Sequence, residues 1–105
     1  MSDENGLAER VREALREVID PEIGFNIVDI GLVYDIAVEA GGIAKVTMTT
    51  TTKGCPATNY LRDGAGEAAQ NVDGVELADV RLTYDPPWTP DMMSPIAKDY
   101  LGITR

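Results

Sequence analysis

The change of hydrophobic period on either side of the single cysteine limits most strongly what this chain can fold into. Before Cys55, polar and apolar residues alternate along 43–49, a pattern typical of a half-buried strand. After it, apolar residues recur at helical spacing over 56–72, and a second alternating run follows over 75–85. A strand, a helix and a strand in this order predict a right-handed crossover connection.

A first helix and a hairpin are predicted before this unit. Apolar residues at helical spacing predict a helix over 6–19, which Pro21 ends because the residue before a proline is disfavoured in helical geometry. Residues 32–39 alternate like a strand. Gly41-Gly42 then predicts a hairpin turn into the strand 43–49.

We therefore predict one α/β (α+β) domain over 1–105, a two-layer sandwich in the order helix–strand–strand–helix–strand. Its small three-stranded sheet carries the helices on one face, residues 1–5 fray, and 86–105 form a proline-rich loop with a short helix over 96–101. The side chains expected to face the core are Leu32, Tyr34, Ile36, Val38, Ala44, Val46, Met48, Leu61, Ala65, Ala68, Val72, Val80, Leu82 and Tyr84.

Composition excludes several classes of function. With 18 acidic and 9 basic residues the net charge is −9, which argues against nucleic acid and anionic membrane as partners. The chain has no histidine, so Ser-His-Asp and Cys-His catalysis are excluded. One cysteine cannot close a four-thiolate metal site within a single chain. An unpaired cysteine and an acidic start without a signal-peptide core predict a cytoplasmic protein.

Cys55 is the first candidate functional residue. Pro56 favours the first turn of a helix, which places the sulfur beside helix N–H groups and the positive end of the dipole. That setting favours thiolate over thiol, Lys53 would add to it, and Gly54 leaves room for a partner to approach. The alternative is a small, buried apolar cysteine without a chemical role.

Three further groups of residues are candidates, each with a structural alternative. Asp20 and Glu22 would charge-balance the thiol or bind a cation, or else serve only the turn in which they lie. Thr51 and Thr52 would offer hydroxyls beside Cys55, or else only end the strand. Trp88 and its neighbouring methionines would fold back as a lid on the core or present a contact surface.

Several segments, taken in order, resemble the MIP18 family, also known as the DUF59 domain, with its SufT-type and PaaD-type relatives. The segments are VIDPE at 18–22, NIVDIGLVY at 26–34, TTTKGCP at 50–56, DPPWTP at 85–90 and LGI at 101–103. The resemblance implies the fold predicted above and a role in iron–sulfur protein assembly or maturation. It also implies that the family's reactive cysteine corresponds to Cys55 and its acidic loop to Asp20 and Glu22.

The leading hypothesis is a non-enzymatic assembly factor in which Cys55 transiently contacts a cluster, an iron ion or a client thiol, with no tightly bound cofactor. We expect iron–sulfur client or scaffold proteins as partners, and a homodimer that pools two thiolates. One alternative is a PaaD-like maturation factor for a phenylacetyl-CoA oxygenase-type complex, although the cysteine-bearing extension of those proteins is missing. A thiol-dependent redox enzyme is a weaker alternative, because no base or resolving cysteine is present. The last alternative is a scaffold that only binds other proteins and in which Cys55 has no chemical role.

Overall fold

A computed structural model describes residues 2–51 and 57–102 of the chain, with only the backbone of residues 2–5. Its regular elements are, in order, α1 (Ser2–Leu15), β1 (Val33–Glu39), β2 (Ile43–Met48), α2 (Thr58–Gln70), β3 (Leu77–Leu82) and α3 (Pro95–Tyr100), with a 3-10 turn at Pro90–Met92 between β3 and α3. The predicted order helix–strand–strand–helix–strand is confirmed.

The sheet has the strand order β1-β2-β3, with β2 in the centre. β1 pairs antiparallel with β2, from Glu39 opposite Ile43 to Val33 opposite Met48, with an irregularity between Val33 and Asp35. β2 pairs parallel with β3, so α2 is the crossover that the sequence predicts. Gly41 and Gly42 make the hairpin turn with φ of +89° and +79°, angles that residues with a side chain rarely adopt.

The core lies between the sheet and the two long helices. On β2, the predicted inward residues Ala44, Val46 and Met48 are completely buried. α1 packs against β1 and α2, and α2 packs against β3. The buried residues of the helices are Leu7, Val11 and Leu15 on α1, and Leu61, Ala65 and Ala69 on α2.

Element ends differ from the sequence prediction. α1 ends at Leu15 and not near residue 19. The amides of Arg16, Glu17 and Val18 each donate to the carbonyl three residues earlier instead of four, which tightens the chain into turns. It begins at Ser2, so residues expected to fray belong to its first turn. β3 covers only Leu77–Leu82 of the predicted 75–85, and α3 begins one residue early at Pro95.

The predicted buried stripe of α2 is partly wrong. Ala69 is fully buried, whereas Ala68 and Val72 are only half-buried at the margin of the core. The two interior glycines of α2 approach other parts of the same chain: a Cβ at Gly64 would lie 3.4 Å from Val18, and one at Gly66 would lie 3.7 Å from Val80. Both distances are ordinary van der Waals contacts, so these two positions of α2 pack within their own chain.

The side-chain amide of Gln70 covers part of the open edge of the sheet. Its Nε2 donates to the carbonyl of Glu76 at 2.9 Å, and its Oε1 accepts from the amide of Ala78 at 2.9 Å. The amide thus takes the place of a neighbouring strand's peptide group along the start of β3. Exposed strand edges favour unwanted pairing, and a helix lying over such an edge reduces it.

The proline-rich segment after β3 folds back onto the core, one of the two alternatives considered for it. Met93 is buried, and the indole Nε1 of Trp88 donates to the carbonyl of Ile30 at 2.7 Å. The amide of Ser94 donates to the carbonyl of Asp29 at 2.7 Å, and the hydroxyl of Ser94 caps α3 by accepting from Ala97. We call residues 85–102 the C-terminal strap.

Within the described ranges, no helix is both long enough and apolar enough to span a bilayer.

The backbone at Gly31 closely approaches the strap. Its φ is +85°, and a Cβ there would lie 2.5 Å from the backbone oxygen of Met92. Gly24 has a similar φ of +82° but open space around its Cα. A comparison of alanine substitutions at Gly31 and Gly24 therefore distinguishes the cost of a positive φ from the cost of a steric clash.

We predict that Gly31→Ala lowers the free energy of unfolding by about 1–3 kcal/mol more than Gly24→Ala does, because only Gly31→Ala adds a clash to the cost of positive φ. Urea denaturation followed by circular dichroism measures both values. Equal losses in the two variants would show that the strap moves away from Gly31 without cost.

Candidate functional site

The end of β2 leads directly into the predicted site. Beyond Met48 the backbone pairing continues for a short distance on both sides, since the amide of Thr49 donates to the carbonyl of Leu32 at 2.8 Å and the amide of Thr83 to that of Met48 at 2.9 Å. Thr49 and Thr50 are almost completely buried. Buried hydroxyls require partners, because an unpaired one costs about 1–3 kcal/mol.

The structure shows a partner for each hydroxyl. The hydroxyl oxygens of Thr50 and Tyr84 are 2.9 Å apart. Thr49 Oγ1 donates to the carbonyl of Thr50 at 3.4 Å, and nearby the hydroxyl of Tyr34 donates to the carbonyl of Pro86 at 2.8 Å. Burial raises the pKa of Tyr34, and the hydrogen bond with Thr49 only partly offsets this rise. Tyr34 is therefore protonated and remains a donor at neutral pH.

The segment from this strand end to α2 lies mostly outside the described residues. Thr51, a predicted site residue, is half-buried at the last described position before the gap. Thr52, Gly54 and Cys55, and with them the predicted thiolate and metal contact, fall within residues 52–56. Their roles therefore remain predictions from the sequence.

α2 begins directly after that segment, with Ala57 at the N-cap. Alanine has no side-chain oxygen to accept from the first helical amides, and the first turn of α2 contains no acidic residue. The helix thus supplies no carboxylate of its own to balance the positive end of its dipole. In addition, the buried hydroxyl oxygen of Thr58 has no hydrogen-bond partner among the described residues.

The acidic loop serves the turn in which it lies. Asp20 is only 2% exposed, and its Oδ1 accepts from the amides of Glu22 at 2.7 Å and Ile23 at 3.3 Å. Its own amide and carbonyl bond to Phe25 and Gly24, which closes the loop. Glu22 is exposed and also makes an interaction of its own. Asp20 therefore stabilises its own turn, which was one of the two alternatives considered for it. Glu22 is the exposed carboxylate of the loop.

The structure does not gather a metal site from the predicted residues that it describes. Across 2–51 and 57–102, no three residues of the types Asp, Glu, Cys and His lie together in a way that could hold an ion. Trp88 is held at Ile30, and within the same ranges no hydrogen bond joins its indole to Asp20 or Thr51.

An ion-pair cluster around Asp29 links the loop 26–31 to two helices. Arg16 Nη1 and Asn26 Nδ2 each donate to Asp29 Oδ2 at 2.8 Å. Burial by itself would raise the pKa of Asp29, but hydrogen bonds from Asn26, Arg16 and Ser94 and the charge of Arg16 outweigh it and hold this pKa below its usual value. The cluster therefore binds the end of α1 and the start of α3 to one carboxylate.

Comparisons with known proteins identify the fold and its family. The family described as "Iron-sulfur cluster assembly protein" matches residues 8–82. This chain belongs to that family. The match includes the acidic loop, the TTTKGCP segment and all three strands. The likeness to the MIP18 or DUF59 domains stated from the sequence is thereby confirmed.

The similarity extends over nearly the whole chain. It is 41% identical over 100 residues to the "Fe-S protein maturation auxiliary factor YitW" of Bacillus subtilis, covering 95% of this chain and 98% of that protein. It is 40% identical over 87 residues to the SufT maturation auxiliary factor of Staphylococcus aureus, covering 83% and 99%. The crystal structure of a DUF59 domain from Bacillus anthracis superposes with a TM-score of 0.92 at 35% identity, covering 98% of each chain.

A more distant relative bears on the PaaD-like alternative. The chain is 38% identical over 88 residues to one component of a putative 1,2-phenylacetyl-CoA epoxidase from Escherichia coli. That match covers 83% of this chain but only 52% of the relative. The maturation auxiliary factors, in contrast, are matched over nearly their full length.

Sequence reasoning missed Tyr84 as the partner of Thr50, and it missed the Asp29 cluster. A signal for Tyr84 was present, because it was assigned to an inward position, where a buried tyrosine hydroxyl needs a partner. The Asp29 cluster joins residues 16, 26, 29 and 94, and no pattern in the sequence relates the last of these to the others.

We predict an acid-sensitive contribution from Asp29. Because its pKa is lowered by folding, its stabilising effect is complete above the unfolded pKa of about 3.9 and is lost as the pH falls through the folded value. At neutral pH, Asp29→Asn should cost about 1–2 kcal/mol of unfolding free energy, a reduced figure because Arg16 is 37% exposed. The cost should shrink as the pH approaches 3.

Urea denaturation at pH 7, 5, 4 and 3 measures this dependence. Asp35→Asn is the matched control, because Asp35 is exposed on β1. A cost for Asp29→Asn that is the same at pH 7 and pH 3 would contradict the assignment of the effect to the ionised carboxylate.

Proposed function

We propose that this protein is a non-enzymatic accessory factor in the maturation of iron–sulfur proteins, and that Cys55 transiently contacts the cluster, an iron ion or a client thiol. The observation that carries the proposal is the near full-length similarity to Fe-S protein maturation auxiliary factors. The start of α2 supports the same residue, because Ala57 at the N-cap has no side-chain oxygen, the first turn carries no carboxylate, and Cys55 precedes Ala57 by two positions in the sequence.

The chemistry of a lone thiolate suits delivery of a cargo. Thiolate sulfur is a soft ligand that iron in clusters prefers. A helix N-terminus without a carboxylate of its own favours a negatively charged group beside it. A single ligand binds less firmly than the four cysteines of a resident cluster, which suits release to a client. The cluster or iron is therefore cargo here and not a permanent cofactor.

The other predicted site residues receive narrower roles in this proposal. Asp20, being buried, shapes the loop that displays the charge of Glu22. Thr51 and Thr52 connect the buried strand end to Cys55, and Gly54 keeps the approach to the sulfur open. Trp88, held at Ile30, presents the strap to client or scaffold proteins.

The competing functions have less support. The PaaD-like alternative rests on a relative of which this chain covers only half. A redox enzyme would need a base or a second cysteine, and the sequence has neither histidine nor another thiol. The proposal includes a homodimer. One chain has too few ligands for a cluster, and two copies of Cys55 in a dimer would bind the cargo together.

We predict that Cys55→Ser folds normally and fails to support maturation. In a host lacking its own factor of this family, iron–sulfur enzyme activity per unit of enzyme should fall at least fivefold relative to cells with the wild-type protein, because the hydroxyl is a poor ligand for iron. Activity of a cluster-free enzyme in the same extract controls for growth. Wild-type levels of client activity in the variant would contradict the proposal.

The dimer is tested by mass. Anaerobic incubation with iron and sulfide should shift the wild-type protein from its monomer mass of 11.3 kDa towards twice that value in light scattering. Cys55→Ala should not shift, since the bridging thiolates are removed. An equal dimer fraction in both proteins would show that association does not depend on the cysteine.

A further inference from the structure

We propose that Thr50 and Tyr84 are positioning residues for the segment that carries Cys55, and that their hydroxyl–hydroxyl bond fixes the direction in which β2 enters that segment. This inference rests on the proposed function, because it assigns to the bond a part in client maturation. The two hydroxyl oxygens are 2.9 Å apart and join residues 34 positions apart in the chain.

The location of the bond is the first argument. Thr50 lies two residues beyond the last residue of β2 and is only 2% exposed. Among the residues that the structure describes, backbone bonds of Thr49 with Leu32 and of Thr83 with Met48 lie directly before this point. The side chain of Thr50 adds lateral support to the strand directly after them.

The geometry around the strand end is the second argument. Successive residues of an extended chain point to opposite sides, so Thr49 and Thr50 present their hydroxyls in opposite directions. Tyr84 from the segment after β3 meets the hydroxyl of Thr50, and Tyr34 from β1 donates to the carbonyl of Pro86 in the same segment. The end of β2 and the neighbouring strand β1 are thus both tied by tyrosine hydroxyls to the segment that continues to Trp88.

The polar character of the pair is the third argument. For stability alone, a buried valine opposite a phenylalanine would serve about as well, since replacing both partners of a buried hydrogen bond by apolar groups of the same shape is nearly neutral. A hydroxyl pair instead specifies direction and distance. The chain uses this pair directly before the segment with its only cysteine.

The test is hydrogen exchange of backbone amides followed by mass spectrometry on the full chain. Thr50→Val and Tyr84→Phe should each speed exchange of residues 49–61 roughly fivefold, the effect expected for loss of one buried hydrogen bond. Exchange of residues 35–46 should stay within twofold of wild type. The effect of the double variant should be clearly smaller than the product of the two single effects, because the shared bond is lost only once.

Matched variants keep the result interpretable. Thr50→Ser retains the hydroxyl and should restore wild-type exchange. Thr47→Val changes a half-buried threonine within β2 itself, and Tyr100→Phe removes an exposed hydroxyl; neither should alter residues 49–61. Unchanged exchange in Thr50→Val and Tyr84→Phe, equal acceleration throughout the chain, or multiplicative effects in the double variant would each overturn the positioning role.

A second measurement connects the bond to maturation. Client enzyme activity in the complemented host should fall at least threefold in Thr50→Val and recover in Thr50→Ser. Accelerated exchange with unchanged client activity would also overturn the proposal. Failure of the proposed function is separate from this outcome, since it would appear as normal client activity in Cys55→Ser whatever the exchange data show.

Discussion

The burial of one face of the central strand is the constraint on which the other parts of the structure depend. Ala44, Val46 and Met48 are fully buried, and β2 is paired on both sides, antiparallel with β1 and parallel with β3. A strand paired on both edges cannot shift by one residue without turning this apolar set towards solvent. The registers of the hairpin and of the crossover are therefore determined together, and α1 and α2 cover the same apolar face.

The same strand leads to the segment that carries Cys55. Beyond Met48 the chain remains buried through Thr50, and the buried side chains there are the threonines Thr49 and Thr50. Tyr84, after the crossover, bonds to the hydroxyl of Thr50. α2 begins with Ala57 at its N-cap, a residue that offers no side-chain oxygen to the first helical amides. In the chain, a buried strand end and the start of a helix therefore stand on either side of the proposed site.

Local patterns in the sequence predicted much of the fold, and failed where distant contacts decide. The alternation on β2 and the Gly41-Gly42 turn depend on neighbouring residues, and both predictions are confirmed. The stripe of α2 was displaced from Ala69 to Ala68 and Val72, because small residues fit a helical face in several ways until the facing elements are known. Gly64 and Gly66 do not reveal in the sequence which element packs against them, whereas in the structure Val18 and Val80 of the same chain approach them.

Taken alone, the sequence determined the order of the elements, the absence of histidine chemistry and the position of a single thiol between a strand and a helix, because period, composition and spacing are properties of adjacent residues. Only the tertiary structure decided that Asp20 serves its own turn, that Asp29 joins Arg16 to Ser94, and that Tyr84 holds Thr50. Those pairings join residues up to 65 positions apart, as between Asp29 and Ser94, and they form because a buried polar group needs a hydrogen-bond partner.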